Sequence, residues 1–231
     1  MKEGIVEPAF VFEEDTYFTV SKTSLFFAGD GFSVYDRNAQ LVFRVDSYGP
    51  DPHDRTEPVL MDATGSCLLT VRRKRPSLHH RWEGFVGERM EGQKPIFSVR
   101  RSSIIGRSSV TVEVFRDEYH IEGSFAQRCC KIYNADKQPV AEIHRKVDVS
   151  TNVVLGKDVF SLVLKPGFDP AFAMGLVLVL DQINGDGFVE RRMIEEEEMD
   201  LAAEEQCECD WMDCFDQLNI WSVWPGGNLL S

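Results

Sequence analysis

An apolar helix that begins after Asp169 most constrains what this chain can fold into. Asp169 can accept hydrogen bonds from the free amides of a first helical turn, and Pro170 suits the first helical position. Apolar side chains then cover every side of the cylinder: Phe172, Met174, Leu176, Val177, Leu178, Val179, Leu180 and Ile183. The run Pro170–Leu180 has 11 residues and ends at Asp181, whereas a bilayer requires about 20. The pattern therefore predicts a helix enclosed by protein.

Short β-branched and aromatic runs, separated by Gly, Asp, Asn and Pro, fill the chain from Tyr17 to Leu164. Asp36, Asp62 and Asn134 open three predicted hairpin turns, where their side chains can bond the backbone two residues on. The predicted strands are Phe32–Tyr35, Leu41–Val45, Val59–Met61, Cys67–Val71, His80–Val86, Ile96–Arg100, Val110–Phe115, Tyr119–Phe125, Cys130–Tyr133, Val140–Ile143 and Val159–Leu164. About a dozen meandering strands can hide their edges by closing, which predicts a mainly β, antiparallel barrel filled by the helix.

The charge of the chain is unevenly distributed, and this suggests three regions. Residues 1–189 hold 23 basic and 26 acidic side chains, whereas residues 190–231 hold 2 and 12. We predict an N-terminal arm at 1–16, the barrel at 17–188 and an acidic tail, flexible or weakly helical, at 189–231. A near-neutral body with an acidic tail argues against direct nucleic-acid binding, which requires a basic face.

The N-terminal sequence and the cysteines indicate the compartment. Residues Met1–Pro8 lack the basic and apolar regions of a secretory signal. We therefore expect a cytosolic or nuclear protein without a transmembrane helix, with peripheral attachment at the plasma membrane as an option. In such a compartment the six cysteines are expected to be reduced thiols.

Several segments resemble the plant LURP-one-related family, and the similarity runs from about Tyr17 to Ile183. The helix at the end of this region is its most specific part. The segments that carry the resemblance are Gly29–Asp36, Leu69–Lys74, Arg81–Trp82, Lys131–Tyr133, Val140–Ile143, Gly167–Gly175 and Leu180–Ile183. The acidic tail after Phe188 departs from the family pattern, so nothing is transferred to it.

The resemblance implies a Tubby C-terminal-like fold, a closed barrel around a central hydrophobic helix that is related to phospholipid scramblases. This agrees with the fold that the residue pattern predicts. The resemblance also implies a link with plant defence. At the level of the superfamily, it implies membrane-tethered regulators that respond to phosphoinositides and resemble transcription regulators.

The densest basic run is Arg72–Arg75, with Arg81 and the pair Arg100-Arg101 on other predicted strands. Successive residues of a strand point to opposite faces and residues two apart share a face, so Arg72 and Lys74 could together grip a phosphorylated head group. Tubby proteins, by resemblance, hold phosphoinositide with a Lys-x-Arg strand element, although order and spacing differ here. The predicted lipid-binding residues are therefore Arg72, Arg73, Lys74 and Arg75. The alternative is an ordinary solvated strand face.

No metal site is predicted from the histidines and cysteines. His79-His80 with Cys67 lacks a second ligand pair at a recognisable spacing. Cys207-x-Cys209 with Cys214 offers three thiolates, one fewer than a closed zinc site requires. Cys129-Cys130 lies within a predicted strand, which would place one thiol in the core.

The sequence lacks the motifs of the common enzyme classes, and no catalytic residue or cofactor is predicted. Gly29–Gly31 and Asn184–Gly187 are interpreted as turns, the second because it lacks the downstream Glu of a calcium loop. We therefore predict a non-enzymatic regulator that interacts with anionic phospholipid, phosphoinositide above all. The alternative is a protein-interaction scaffold in defence signalling that binds an unknown partner without lipid.

Overall fold

The structure is a computed structural model that describes residues 4–22, 31–47, 57–74, 81–104, 107–115, 117–148 and 153–184. Twelve strands lie within these ranges: β1 Thr16–Ser21, β2 Phe32–Tyr35, β3 Leu41–Ser47, β4 Pro58–Asp62, β5 Cys67–Arg73, β6 Trp82–Val86, β7 Phe97–Ile104, β8 Arg107–Val114, β9 Asp117–Ser124, β10 Cys129–Tyr133, β11 Pro139–Arg145 and β12 Val159–Leu164. A helix, α1, follows at 170–184. The predicted mainly β fold is confirmed.

The strands form a closed barrel in which every neighbour in space is also a neighbour in sequence, apart from one seam. At the seam β1 pairs with β12, from Thr16↔Leu164 to Ser21↔Val159. All pairs of neighbouring strands are antiparallel. Closure leaves no strand edge open to pairing with another chain.

Helix α1 fills the interior of the barrel, as its apolar sequence predicts. Met174 and Leu176 are fully buried, and Leu178 is only 2% exposed. The helix packs closely at Gly175, where an added Cβ would lie 2.4 Å from Cδ2 of Leu69. Burial on all sides explains why the sequence lacks a polar helical face.

Asp169 joins the start of α1 to the N-terminal arm. One oxygen of its carboxylate accepts the N–H groups of Ala171 and Phe172 at 2.8 and 3.2 Å, which is the predicted helix cap. The other oxygen accepts the N–H groups of Val6 and Glu7 at 2.6 and 3.0 Å. The sequence gives no sign of this second role. The arm is thereby held at the end of the barrel where α1 begins.

The three predicted hairpin turns are confirmed. The side chains of Asp36, Asp62 and Asn134 accept backbone N–H groups at 2.8 to 2.9 Å from residues two to four positions on. The predicted strand that starts at His80 is shorter in the structure and begins at Trp82; His80 lies outside the described residues. Gly29 and Asp30 of the predicted turn and all of the predicted acidic tail, 189–231, also lie outside the described residues. These interpretations stay predictions.

Candidate functional site

The predicted lipid-binding residues separate onto two faces of β5. Arg72 lies opposite Glu83 of β6 on the outer face of the barrel, and Lys74 continues that face. Arg73 lies opposite the buried Trp82 and therefore belongs to the other face. Arg75 lies outside the described residues. Only Arg72 and Lys74 of the predicted set are thus shown on one outer surface.

The strand register places Lys74 in a row with two further cations. The N–H of Lys74 donates to the carbonyl of Arg81 at 2.8 Å. Trp82 pairs with Val99, so one further step of the same register puts Arg81 beside Arg100 on β7. Adjacent strands lie about 4.8 Å apart. We call Lys74, Arg81 and Arg100 the cationic row.

Two carboxylates in the next row of the sheet hold these cations. Glu83, whose side chain is 7% exposed, contacts Lys74 at 3.0 Å and Arg72 at 3.7 Å. Glu113 of β8 contacts Arg81 at 3.7 Å and also forms an ion pair with Arg100. Each carboxylate is therefore shared by two cations, so the four basic side chains keep an excess of two positive charges.

The cationic row is partly accessible to solvent, and its two carboxylates differ in exposure. The side chains of Lys74, Arg81 and Arg100 are 46%, 32% and 45% exposed, against 7% for Glu83 and 45% for Glu113. Like charges side by side on adjacent strands destabilise a sheet. Glu83 and Glu113 offset this repulsion only in part, because two carboxylates serve four basic side chains.

Arg72 is held in place by its surroundings. Its guanidinium lies over the ring of Phe85, 5.5 Å from the centroid, and Arg89 covers the same ring at 5.9 Å. Phe85 is 2% exposed although it lies on the outer face of β6. Nε of Arg72 is buried and has no hydrogen-bond partner. Arg72 thus contributes mainly to the packing on the outer face of β5 and β6 and to the orientation of Glu83.

The other sequence candidates give no second site within the described residues. Cys130 is 3% exposed and Cys129 is exposed, as expected for neighbours on one strand. Burial raises the pKa of the Cys130 thiol to about 12. In the part of the chain that the structure describes, no three His, Cys, Asp or Glu side chains are grouped so as to hold a metal ion. His79-His80 and the tail cysteines lie outside that part.

Comparison with known proteins places the chain among its relatives. The family model described as LURP-one-related matches residues 16–181, from β1 into α1. The chain belongs to the LURP-one-related family. Protein LURP-one-related 12 of Arabidopsis thaliana is 66% identical over 189 residues, which cover 80% of this chain and 86% of that protein. Protein LURP-one-related 5 of the same plant is 64% identical over 212 residues, which cover 89% and 100% respectively.

A solved structure supports the architecture of this LURP-one-related protein. The X-ray structure of a protein from Arabidopsis thaliana matches with a TM-score of 0.58 at 24% identity, and the match covers 78% of this chain and 98% of that one. At that identity the likeness shows the fold alone. Among the described residues, no helix has the length and apolarity needed to cross a membrane.

Proposed function

We propose that this LURP-one-related protein is a non-enzymatic regulator that binds anionic phospholipid through the cationic row on the outer wall of the barrel. The observation that carries this proposal is the row of three solvent-accessible cations that share two carboxylates with Arg72. A phosphomonoester supplies several acceptor oxygens, which suits two guanidinium groups and one ammonium group on adjacent strands. Phosphoinositides that are phosphorylated on the inositol ring carry such groups at a membrane surface.

The carboxylates beneath the row give it a defined geometry. Glu83 and Glu113 hold the cations by charge-assisted contacts, so the side chains lose less conformational freedom when an anion binds. The proposal includes the role in plant defence that the family resemblance implies. A protein-interaction scaffold that binds no lipid remains the second candidate, and lipid binding separates the two.

Vesicle flotation of the full-length chain tests this function. The variant should be Lys74→Ala with Arg100→Ala, because Arg72 and Arg81 then remain to pair with Glu83 and Glu113. Removing Arg72 together with Lys74 would leave the buried Glu83 unpaired and would confuse folding with binding. The matched control, Lys131→Ala with Lys157→Ala, removes the same charge at two exposed positions that do not belong to the cationic row.

The expected result is binding to phosphatidylcholine vesicles that contain phosphatidylinositol bisphosphate, and none to phosphatidylcholine alone. The row variant should lose about 2 kcal/mol of binding, since each cation near an anionic surface contributes about 1 kcal/mol. The control should bind like the wild type, and added salt should weaken binding by screening. If the wild-type protein does not bind these vesicles at low salt, the lipid proposal is wrong, and a protein-interaction scaffold is the better account of the function.

A further inference from the structure

A cleft lies between the N-terminal arm, the start of β1 and the turn that joins β2 to β3. Its volume is about 470 Å³. Two aromatic residues in its lining are partly exposed, Phe12 by 43% and Tyr17 by 42%. Exposed aromatic surface inside a concavity is typical of a place where another molecule binds.

Carboxylates give this cleft a negative charge. Its lining includes Glu13, Glu14, Asp15 and Asp36 against one cation, Arg37. Asp36 is occupied by the N–H groups of its own turn. Asp15 forms an ion pair with Lys165 at 2.8 Å, and the hydrogen bond between them raises the pKa of Lys165. Even with Lys165 counted, the negative charges in and beside the cleft outnumber the positive ones.

A side chain of the protein already shows how the cleft holds a cation. The guanidinium of Arg37 lies over the ring of Tyr17, 4.2 Å from its centroid, and Nη2 donates to the carbonyl of Asp15 at 3.3 Å. Guanidinium groups stack on aromatic faces through both cation–π attraction and planar contact. An arginine of a second molecule would find the same chemistry at the exposed ring of Phe12 and at Glu14.

We propose that this cleft binds an arginine-containing basic segment of a partner protein. Charge complementarity selects a cationic occupant, and the open ring of Phe12 selects arginine over lysine. This inference does not depend on the lipid proposal. The cleft is built from the arm, β1, the β2–β3 turn and Val42 of β3, whereas the cationic row consists of Lys74, Arg81 and Arg100, so the two sites share no residue. The protein can therefore bind a basic segment and an anionic surface at the same time.

A capped, fluorescein-labelled peptide that alternates arginine and serine is the probe, titrated into the full-length chain and followed by fluorescence anisotropy. The cleft variant is Phe12→Leu with Glu14→Gln, which removes the open aromatic face and one charge while keeping an apolar side chain. The matched control is Phe115→Leu with Glu91→Gln, an exposed ring and an exposed carboxylate outside the cleft. Near-ultraviolet circular dichroism checks that both variants fold.

The proposal predicts that the cleft variant binds the arginine peptide about tenfold more weakly than the wild type and the control do. The same peptide with lysine in place of arginine should also bind more weakly to the wild type. Equal binding by both variants would mean that the acidic tail or diffuse charge holds the peptide, and the cleft assignment would be wrong. If the wild type bound a peptide that alternates glutamate and serine as tightly as it binds the arginine peptide, the cleft proposal would also be wrong, whatever the vesicle experiment shows.

Discussion

The backbone N–H of Val6 donates to Oδ2 of Asp169 at 2.6 Å, across 163 positions of the sequence. The other oxygen of the same carboxylate caps α1 through Ala171 and Phe172. One buried carboxylate thus satisfies N–H groups from both ends of the described chain. It fixes the helix and the arm against the same end of the barrel.

Asp169→Ala should destabilise the fold by about 3 kcal/mol, because it removes a helix cap and leaves buried N–H groups without partners. The free energy of unfolding in urea measures the change. The stability of Asp169→Asn should fall between those of the wild type and Asp169→Ala, because asparagine keeps one carbonyl oxygen as an acceptor. The exposed Asp136→Ala serves as the control. Unchanged stability of Asp169→Ala would show that water replaces the carboxylate at no cost.

Gly84→Ala should destabilise the barrel by about 2 kcal/mol through overpacking. A Cβ at this position would lie 2.2 Å from Cε1 of Phe97, whose ring packs against Phe172 at 5.3 Å between centroids. Phe97→Leu in the same chain should recover part of the loss, because the clash is with the ring. A double-mutant cycle measures this coupling, and strictly additive effects of the two changes would contradict it.

The turn carboxylate of Asp62 should make stability depend on pH. Burial alone would raise its pKa, but hydrogen bonds from Thr64 and Ser66 outweigh burial, so the pKa in the folded state is lowered. Its contribution is therefore present above the unfolded pKa, about 3.9, and is lost as the pH falls through the lower folded value. Because the group is exposed, we expect less than about 1 kcal/mol.

The comparison of wild type with Asp62→Asn checks this expectation. The wild type should be the more stable protein in urea at pH 7, and the difference should shrink as the pH is lowered past the unfolded pKa. Asp136→Asn, in an equivalent turn, is the control for a general loss of negative charge. A difference that grows on acidification would contradict the sign of the shift.

The adjacent thiols of Cys129 and Cys130 should differ sharply in reactivity. Burial raises the pKa of Cys130 from 9.0 to about 12, so its thiolate fraction at neutral pH falls about a thousandfold. N-ethylmaleimide should label Cys129 in the native protein and Cys130 only after unfolding. Fragmentation mass spectrometry identifies which sulfur carries the label. Equal labelling of both in the native state would mean that β10 opens readily.

Deletion of residues 190–231 should leave the melting temperature nearly unchanged. The segment contributes few periodic apolar positions and most of the net negative charge of the chain. Differential scanning calorimetry of the full and shortened chains measures the effect. A fall of more than about 8 °C, on the order of 2–4 kcal/mol for a domain of this size, would show that tail tryptophans pack on the barrel.

The barrel and its helix were predictable because their signals are local. Turn residues such as Asp62 mark the hairpins, and the all-round apolar pattern of α1 predicts enclosure. The arm was not predictable in the same way. Asp169 shows only its capping pattern in the sequence, and its bond to Val6 depends on how the chain returns to the same end of the barrel.

The candidate site was predictable only in part, because some of its contacts are local in the sequence and others depend on distant segments. Alternation along β5 gives the shared face of Arg72 and Lys74 and assigns Arg73 to the opposite one. The alignment of Lys74 with Arg81 and Arg100 depends on register between strands, which no single segment encodes. The aromatic cleft at Tyr17 combines three separate segments, and its pattern is not visible in any one of them.

The seam between β1 and β12 has a consequence for how this protein is made. Every other strand pairing joins sequence neighbours and can form as a hairpin while the chain is being synthesised. The seam cannot form before β12 exists, and the helix that fills the interior comes later still. During synthesis, the inward apolar faces of the earlier strands are therefore exposed to solvent. Until its last strand and helix have been made, the chain therefore carries both unpaired strand edges and exposed apolar faces, the two features that favour aggregation of incomplete chains.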